Sequence, residues 1–255
     1  MSLTACAASV ERGDPDRFLA TMAAPVAARA ALWPLYAFNL EIARAPWLTK
    51  EPLIAQMRLQ WWQDTVRDAT EGKAARAHDV AGPLAGLIAS ASLPAPVFAT
   101  MITARQWDIE GTPFGDEEAV VAHIDRATGS LTVLAALALG ASADQELVLR
   151  EAAIAGGIAN WLMAVPALEA AGRKPLAHAT LAEVRNLADY GLGMLAKHRA
   201  TDFGAAVPAL RAGWRAGALL RLARAEPARV PEGRLTTSEA RRRASLMWKT
   251  YRGGW

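Results

Sequence analysis

Apolar residues recur along this chain at intervals of three and four, the spacing that places them on one face of an α-helix. Leu53, Met57 and Trp61, for example, occupy one apolar face of a single predicted helix. No segment between turn residues shows a convincing alternation of apolar and polar side chains, which is the pattern of a half-buried strand. The pattern therefore predicts an all-α protein.

Capping residues and prolines mark where the predicted helices begin and end. Asp14 and Pro15 suit the cap and the first position of a short helix that ends near Met22. A longer helical segment, interrupted at Pro34, is predicted at 25–45, and Thr49 suits the cap of the next helix, which ends near residue 72. The remaining helices are predicted at about 79–91, 95–110, 117–139, 144–170, 180–199, 206–225 and 237–251.

Composition agrees with this pattern, because alanine, the strongest helix former, is the commonest residue. The 255 residues, 53% of them hydrophobic, suffice for a sizeable single core. No tract resembles a linker and no repeat is present. We therefore predict one helical domain at 1–225, with a basic C-terminal helix at 226–255 that packs on it or extends it.

Two apolar runs require a test as membrane spans. The run 131–141 is far shorter than the roughly 20 residues that a span needs. The run 152–168 contains Gly156, Asn160 and Pro166, so we interpret it as a helix packed on all sides. The single cysteine, Cys6, excludes an internal disulfide, and the N-terminus lacks the features of a signal peptide. These features predict a cytoplasmic protein.

Charge is distributed unevenly behind a formal net charge of +3. From residue 197 to 255 the chain has 13 Lys and Arg against four Asp and Glu. Such a basic region suggests an anionic partner, and a solvated arginine-rich surface is the alternative.

Carboxylates on predicted helices are the remaining candidates for catalysis: Glu41, Asp64, Asp68 and Asp108. Hydrolase, P-loop and dinucleotide-binding motifs are missing from the sequence. Asp64 and Asp68 lie four residues apart and share a helix face, where like charges repel unless a cation lies between them. Mg²⁺ suits such a pair, but the nearby Lys73 offers a simpler neutralisation.

Asp108 and Glu41 each have an arginine three positions away, Arg105 and Arg44 respectively. A carboxylate in an apolar run, such as Glu41, costs free energy unless it is paired. We interpret both as structural ion pairs, with catalysis or ligand binding as the alternative. Gly129 interrupts an apolar helix, which indicates either a cavity wall or crowding between helices.

Several strings resemble the squalene/phytoene synthase family, in the order in which that family has them. The strongest are ALWPLYAFNLE at 31–41 and RLQWWQD at 58–64. ARQWD at 104–108, ATGS at 127–130 and GR at 172–173 are weaker alone. The resemblance implies a single-domain helical bundle of the isoprenoid synthase type around a central cavity. It also implies cavity positions at Tyr36, Phe38, Asn39, Arg44, Trp61, Arg105, Gly129 and Asn160.

Catalytic members of that family join two prenyl diphosphates head to head, using Mg²⁺ held by two aspartate-rich motifs. Diphosphate departure concentrates negative charge, which divalent metal ions stabilise. At the corresponding positions this sequence has Ala43, Arg44 and Trp47, and then Ala164 and Leu168. The comparison therefore implies that both metal-binding motifs are missing, with no metal site and no cofactor.

The YAFNLE string, with Asn39 and Glu41, resembles a branch that includes a mitochondrial complex I assembly factor and bacterial relatives. The leading hypothesis is a non-catalytic lipid-binding or assembly-type factor, peripheral at the inner membrane. Its expected partners are a prenyl or other lipid, and a membrane protein or anionic membrane surface bound through the basic C-terminal region, with no nucleic acid. One alternative is a Mg²⁺-dependent prenyltransferase with altered ligands, drawn from the four carboxylates. Another is a scaffold whose cavity has filled.

Overall fold

The computed structural model describes residues 2–255, and in that part of the chain every regular element is helical. This confirms the predicted all-α fold. The α-helices are α1 (Leu3–Gly13), α2 (Pro15–Met22), α3 (Val26–Arg44), α4 (Pro52–Thr70), α5 (Ala81–Ala91), α6 (Ala95–Ala104), α7 (Gln106–Glu110), α8 (Glu117–Ile124), α9 (Ser130–Ala138), α10 (Glu146–Ala170), α11 (Leu181–Lys197), α12 (Val207–Leu210), α13 (Ala216–Ala225) and α14 (Glu239–Tyr251).

Side-chain caps begin five of the α-helices in residues 2–255, namely α1, α2, α8, α11 and α14. Asp14 caps α2 as predicted, since its side chain accepts a hydrogen bond from the Arg17 backbone N–H at 2.9 Å. Thr49 does not cap α4; its hydroxyl accepts the backbone N–H of Glu51, which is itself the residue before the helix. The apolar pattern does not predict α1, which begins after a cap by Ser2.

Two long helices organise the core. α3 packs against α1, α5 and α9, and α10 packs against α11 and α13. The larger core cluster surrounds α3, where Phe38 meets Trp62 and Phe98 edge-on, with ring centroids 5.3 and 5.5 Å apart. A second cluster lies between α10, α11 and α13. The cavity described below lies where α3 and α10 end.

The predicted helix at 206–225 is instead broken into α12, a 3₁₀ turn at Arg211–Gly213, and α13. The break coincides with a close crossing of α10. A Cβ atom on Gly156 would lie 3.1 Å from the Cα of Gly213, and one on Gly213 would lie 3.2 Å from the Cα of Gly156. Contact between backbones this close requires glycine on both sides.

Gly129 ends a π-helical turn, Asp125–Gly129, that joins α8 to α9. A Cβ atom at this glycine would lie 2.1 Å from Asp125 Oδ1 and 3.3 Å from Arg150 Nη1. Crowding by the Asp125–Arg150 pair therefore accounts for the glycine that interrupts this apolar helix.

Two helical stretches, Glu117–Ala138 and Ala143–Ala170, are long and apolar enough to cross a membrane by length and composition. Their apolar windows are 67% and 56% buried within the bundle. That burial is the arrangement of core helices and agrees with the interpretation of the run 152–168 as a packed helix.

The apolar face of α4 points outward. Leu53 is 67% exposed and Met57 is 63% exposed, while Trp61 is partly buried. The core side of this helix is formed by other residues, among them Leu59 and Trp62. Helical periodicity therefore identified an apolar face that is not the one packed on the core.

Candidate functional site

A cavity of about 690 Å³ opens between the α1–α2 junction, α3, α8 to α10, the α12–α13 segment and α14. Its wall combines apolar side chains such as Leu131 and Met163 with a set of charged ones. The charged side chains are Asp14, Asp16, Arg17, Arg105, Asp108, Arg215 and Arg242. This composition suits a ligand that is partly apolar and partly ionic.

Four of the five positions that the sequence comparison aligned with metal-binding motifs line this cavity. Ala43 and Trp47 lie on α3 and the turn after it, and Ala164 and Leu168 lie on the last turns of α10. The fifth, Arg44, is exposed and borders a separate surface cleft.

Two ion-pair groups stand at the α1–α2 side of the cavity. Arg17 Nη1 lies 2.6 Å from Asp14 Oδ2, within one turn of α2. Asp16 accepts from Arg242 Nε at 2.7 Å and also from Arg215 Nη1, so it joins α2 to α13 and α14. These contacts connect residues about 200 positions apart in the chain.

A third group lies across the cavity, on the α6–α7 segment. Arg105 Nη1 is 3.7 Å from Asp108 Oδ2, and Arg105 Nη2 donates to Asn39 Oδ1 at 3.4 Å. Arg173 donates to the backbone oxygen of Asp108 at 2.6 Å. Burial raises the pKa of the Asp108 carboxyl above its usual value, against the attraction of Arg105.

Several buried polar atoms around the cavity have no hydrogen-bond partner among residues 2–255: Arg17 Nε, Arg105 Nε, Arg215 Nε, Asp108 Oδ2, His123 Nε2 and Tyr36 Oη. Buried polar atoms are usually satisfied, so a cluster around one cavity indicates a place where water or a ligand supplies the bonds. Three of the six are arginine donors, which favours an acceptor-rich, anionic group.

His123 lies in an aromatic cluster at the cavity wall, together with Trp107, Phe114 and Trp161. The ring centroids in this cluster are 5.0 to 5.4 Å apart, except those of Phe114 and Trp161, which are 6.1 Å apart. Burial, and secondarily the positive charge of Arg105, lowers the pKa of His123 to about 3. The imidazole is therefore neutral across the physiological range and adds no charge to the cavity.

The inner end of the cavity adjoins a narrow pocket of about 20 Å³, lined by Tyr36, Thr128, Thr132 and Asn160. This volume is close to that of one water molecule. Burial raises the pKa of the Tyr36 phenol to about 12, and Arg17 lies over its ring at 5.1 Å. The inner pocket is therefore small, and its polar groups lie among mainly apolar residues such as Ala152, Leu210 and Trp255.

The predicted cavity positions divide into three sets. Asn39, Arg105 and Asn160 line the main cavity, and Tyr36 lines the inner pocket. Phe38 and Gly129 are buried in the surrounding packing. Arg44 and Trp61 border two clefts on the outer surface.

The four carboxylate candidates also lie in different parts of the fold. Asp108 lines the cavity, whereas Asp64 pairs with Arg67 at 2.9 Å. Asp68 accepts from Arg76 at 2.8 Å, and that hydrogen bond lowers its pKa. Glu41 lies in the surface cleft, 3.9 Å from the His78 Nε2 atom. Within the described part of the chain, no group of three or more His, Cys, Asp and Glu side chains has an arrangement that could hold a metal ion.

The sequence does not place five of the cavity residues at a site: Asp16, Arg17, His123, Arg215 and Arg242. The only local signal was the Asp14 cap, which fixes the start of α2 and so directs Arg17. The others meet only through tertiary folding.

Comparison with known proteins gives concordant results. A family model described as squalene/phytoene synthase matches residues 10–253. A Drosophila melanogaster protein named as a homolog of assembly factor 6 of NADH dehydrogenase (ubiquinone) complex I is 31% identical over 106 residues, 40% of this chain. The chain spans only about a third of that relative's length, 32%.

Two solved structures share the fold. A dehydrosqualene synthase solved with a ligand has a TM-score of 0.82 at 15% identity, covering 99% of this chain and 97% of its own. The squalene synthase HpnC from Alicyclobacillus acidocaldarius has a TM-score of 0.65 at 16% identity, covering 98% and 94%. At such identities the likeness shows the fold alone.

Proposed function

The chain belongs to the squalene/phytoene synthase family, and we propose that it is a non-catalytic member which binds an amphipathic anionic lipid in its central cavity. In its specific form, the proposal is that the protein, with lipid in its cavity, assists the assembly of respiratory complex I. The family fold supplies the cavity, and the residues that line it determine what the cavity can hold.

The observation that carries the proposal is the wall formed by Ala43, Trp47, Ala164 and Leu168. These are the positions at which the family resemblance implies aspartate ligands for Mg²⁺, and all four are apolar. Asp14, Asp16 and Asp108 do reach the cavity, but each lies within 4 Å of an arginine nitrogen. Carboxylates neutralised by arginine are poor ligands for a hard divalent cation, so the residues present do not fit Mg²⁺.

Arginine donors support recognition of the anionic end of the ligand. Arg17, Arg105 and Arg215 each keep a buried Nε–H that finds no acceptor among residues 2–255. Arginine binds phosphate through several N–H groups in a fixed plane and needs no metal to do so. Neutral His123 adds no charge to a wall that has four arginines and three aspartates.

Apolar residues on the same wall support recognition of a hydrocarbon segment. Ile124, Leu131, Met163 and Leu168 border the cavity beside the arginines. Because the inner pocket holds about one water molecule at most, the hydrocarbon is expected to lie across the main cavity instead of extending inward.

The assembly role is supported by the Drosophila melanogaster relative, which is named as a homolog of a complex I assembly factor. Deleting the gene in its host is expected to lower the amount of assembled NADH:quinone oxidoreductase on native gels. Re-expression of the unaltered chain should restore it, and an unchanged level in the deletion strain would contradict this part of the proposal.

The decisive experiment incubates the purified full chain with farnesyl diphosphate, with and without Mg²⁺, and follows product and retained ligand by mass spectrometry. We expect retention without Mg²⁺ and no release of diphosphate. Replacing Arg105→Gln should weaken retention by about tenfold, since one charged hydrogen-bond donor is lost. Arg67→Gln, which removes an exposed arginine on α4, is the matched control and should leave retention unchanged.

A head-to-head prenyltransferase is the competing function, supported by the dehydrosqualene synthase fold and by Asp108 in the cavity. It predicts Mg²⁺-dependent release of diphosphate in the same incubation, which Asp108→Asn would abolish. Formation of a condensed product would overturn the non-catalytic proposal.

A further inference from the structure

The C-terminal helix α14 turns an apolar face to the outside. Met247, Trp248 and Tyr251 are 72%, 57% and 86% exposed. At 100° per residue they share one arc of the helix with the exposed Ala240 and Ala244. Large apolar side chains exposed together in this way usually mark a contact surface.

The inward side of the same helix is held by polar contacts. Arg242 Nε donates to Asp16 at 2.7 Å, and Lys249 Nζ donates to the Trp255 backbone oxygen at 2.6 Å. Only Leu246 is buried on this side. A helix that merely covers a core has the opposite arrangement, with apolar residues inward and charges outward. Packing within residues 2–255 therefore does not account for the apolar arc of α14.

Arginines border the apolar arc on both sides. The helical angles place Arg243 at one edge and Arg241 and Arg252 at the other, and all three are exposed. Arg252 also lies over the Trp248 ring, 4.6 Å from its centroid. Beside these three arginines the outer surface of the helix has one carboxylate, Glu239, which pairs with Arg243 at 2.8 Å. The surface around the arc is thus cationic.

We propose that this face of α14 docks on an anionic lipid surface, with the helix lying in the plane of the interface. Trp and Tyr rings favour the boundary between headgroups and acyl chains, and flanking arginines reach the phosphates while their methylenes cover apolar area. Because arginines lie at both edges of the arc, they can reach lipid phosphates on both sides of the helix. Docking needs no ligand in the cavity. A failure to bind vesicles would therefore leave the proposed cavity function untouched, and a failure to retain the cavity ligand would leave the docking proposal untouched.

The test is flotation of the purified full chain with vesicles of phosphatidylcholine alone, or of phosphatidylcholine mixed equally with phosphatidylglycerol. Unaltered protein is expected to float with the anionic vesicles at low salt and to be released by high salt. Trp248→Glu should weaken this binding by at least about tenfold, since it places a carboxylate in the apolar arc. Arg241→Gln should weaken it by about fivefold, and only for the anionic vesicles.

Leu147→Glu is the matched control, because Leu147 is 68% exposed on α10 and lies outside α14. It should float like the unaltered protein. Circular dichroism of each variant checks that the fold is retained. Equal flotation of Trp248→Glu and the unaltered chain would overturn the proposal. So would a dimer in solution that Trp248→Glu dissociates, because the occupant would then be a second copy.

Discussion

His123 carries the clearest pH dependence of any single residue in this fold. Its pKa is about 3 in the folded protein, because it is buried among aromatic rings, and about 6.5 in an unfolded chain. The unfolded chain therefore binds a proton between these values that the folded chain does not bind. The contribution of neutral His123 to the free energy of unfolding is complete above about pH 6.5 and is lost as the pH falls toward 3.

Lowering the pH from about 7 to about 5 should therefore reduce the free energy of unfolding by about 2 kcal/mol through this residue. In His123→Gln that part of the decrease should disappear. Urea denaturation of both proteins at the two pH values measures it, and the difference between them removes the contribution of other titrating groups. Equal decreases in the two proteins would show that His123 is not held neutral.

At the residue scale, local chemistry was predictable from sequence and remote pairing was not. Asp14 was recognised as a cap because capping depends only on the next few residues. Asp16, two positions later, pairs with Arg215 and Arg242, which approach it only after the whole chain has folded. No spacing rule connects residues so far apart, so the charged wall of the cavity could not be derived.

Among the elements, α10 crosses the Arg211–Gly213 turn with its backbone in direct contact with the backbone of the turn. Gly156→Ala introduces a Cβ atom 3.1 Å from the Gly213 Cα, a backbone atom that cannot rotate away. We expect it to lower the free energy of unfolding by about 1–3 kcal/mol, the usual cost of overpacking. Gly86→Ala in α5 is the control, because no atom lies within 4 Å of its Cβ position.

Gly86→Ala should raise stability by about 0.5–1 kcal/mol, since alanine loses less backbone entropy than glycine in a helix. Thermal denaturation of the two variants beside the unaltered chain compares them. A stabilised Gly156→Ala would mean that the crossing relaxes and does not constrain the helices.

Element boundaries were predictable where capping residues and prolines set them, as at Pro15 of α2. The break between α12 and α13 was not, because it results from contact with Gly156 and not from the local sequence. The outward face of α4 was missed for a related reason. Periodicity shows that a helix has an apolar face but does not show what that face contacts.

For the molecule as a whole, Asp16 connects the beginning of the chain to its end through Arg215 and Arg242. Asp16→Ala leaves two partly buried arginines without this carboxylate, and we expect a loss of about 1–3 kcal/mol in the free energy of unfolding. Cleavage by trypsin between α13 and α14 should become faster, because α14 loses one of its attachments. Both quantities are measured on the purified chain.

Asp189→Ala is the control at the same scale. Asp189 pairs with Arg224 at 3.4 Å, but both side chains are more than half exposed, so the pair contributes little. We expect its stability and cleavage rate to match those of the unaltered chain. Equal effects of the two substitutions would show that the Asp16 contacts do not hold the C-terminal helix in place.

The exposed side chains of Leu53 and Met57 on α4 affect the solubility of the protein at high concentration. With a net charge of only +3 and an isoelectric point near 9.3, charge repulsion between molecules is weak in mildly alkaline buffer. Leu53 and Met57 are then free to meet the same residues on another molecule. Concentrated solutions should become turbid as the pH approaches 9 and clear again in acid, where each molecule regains positive charge.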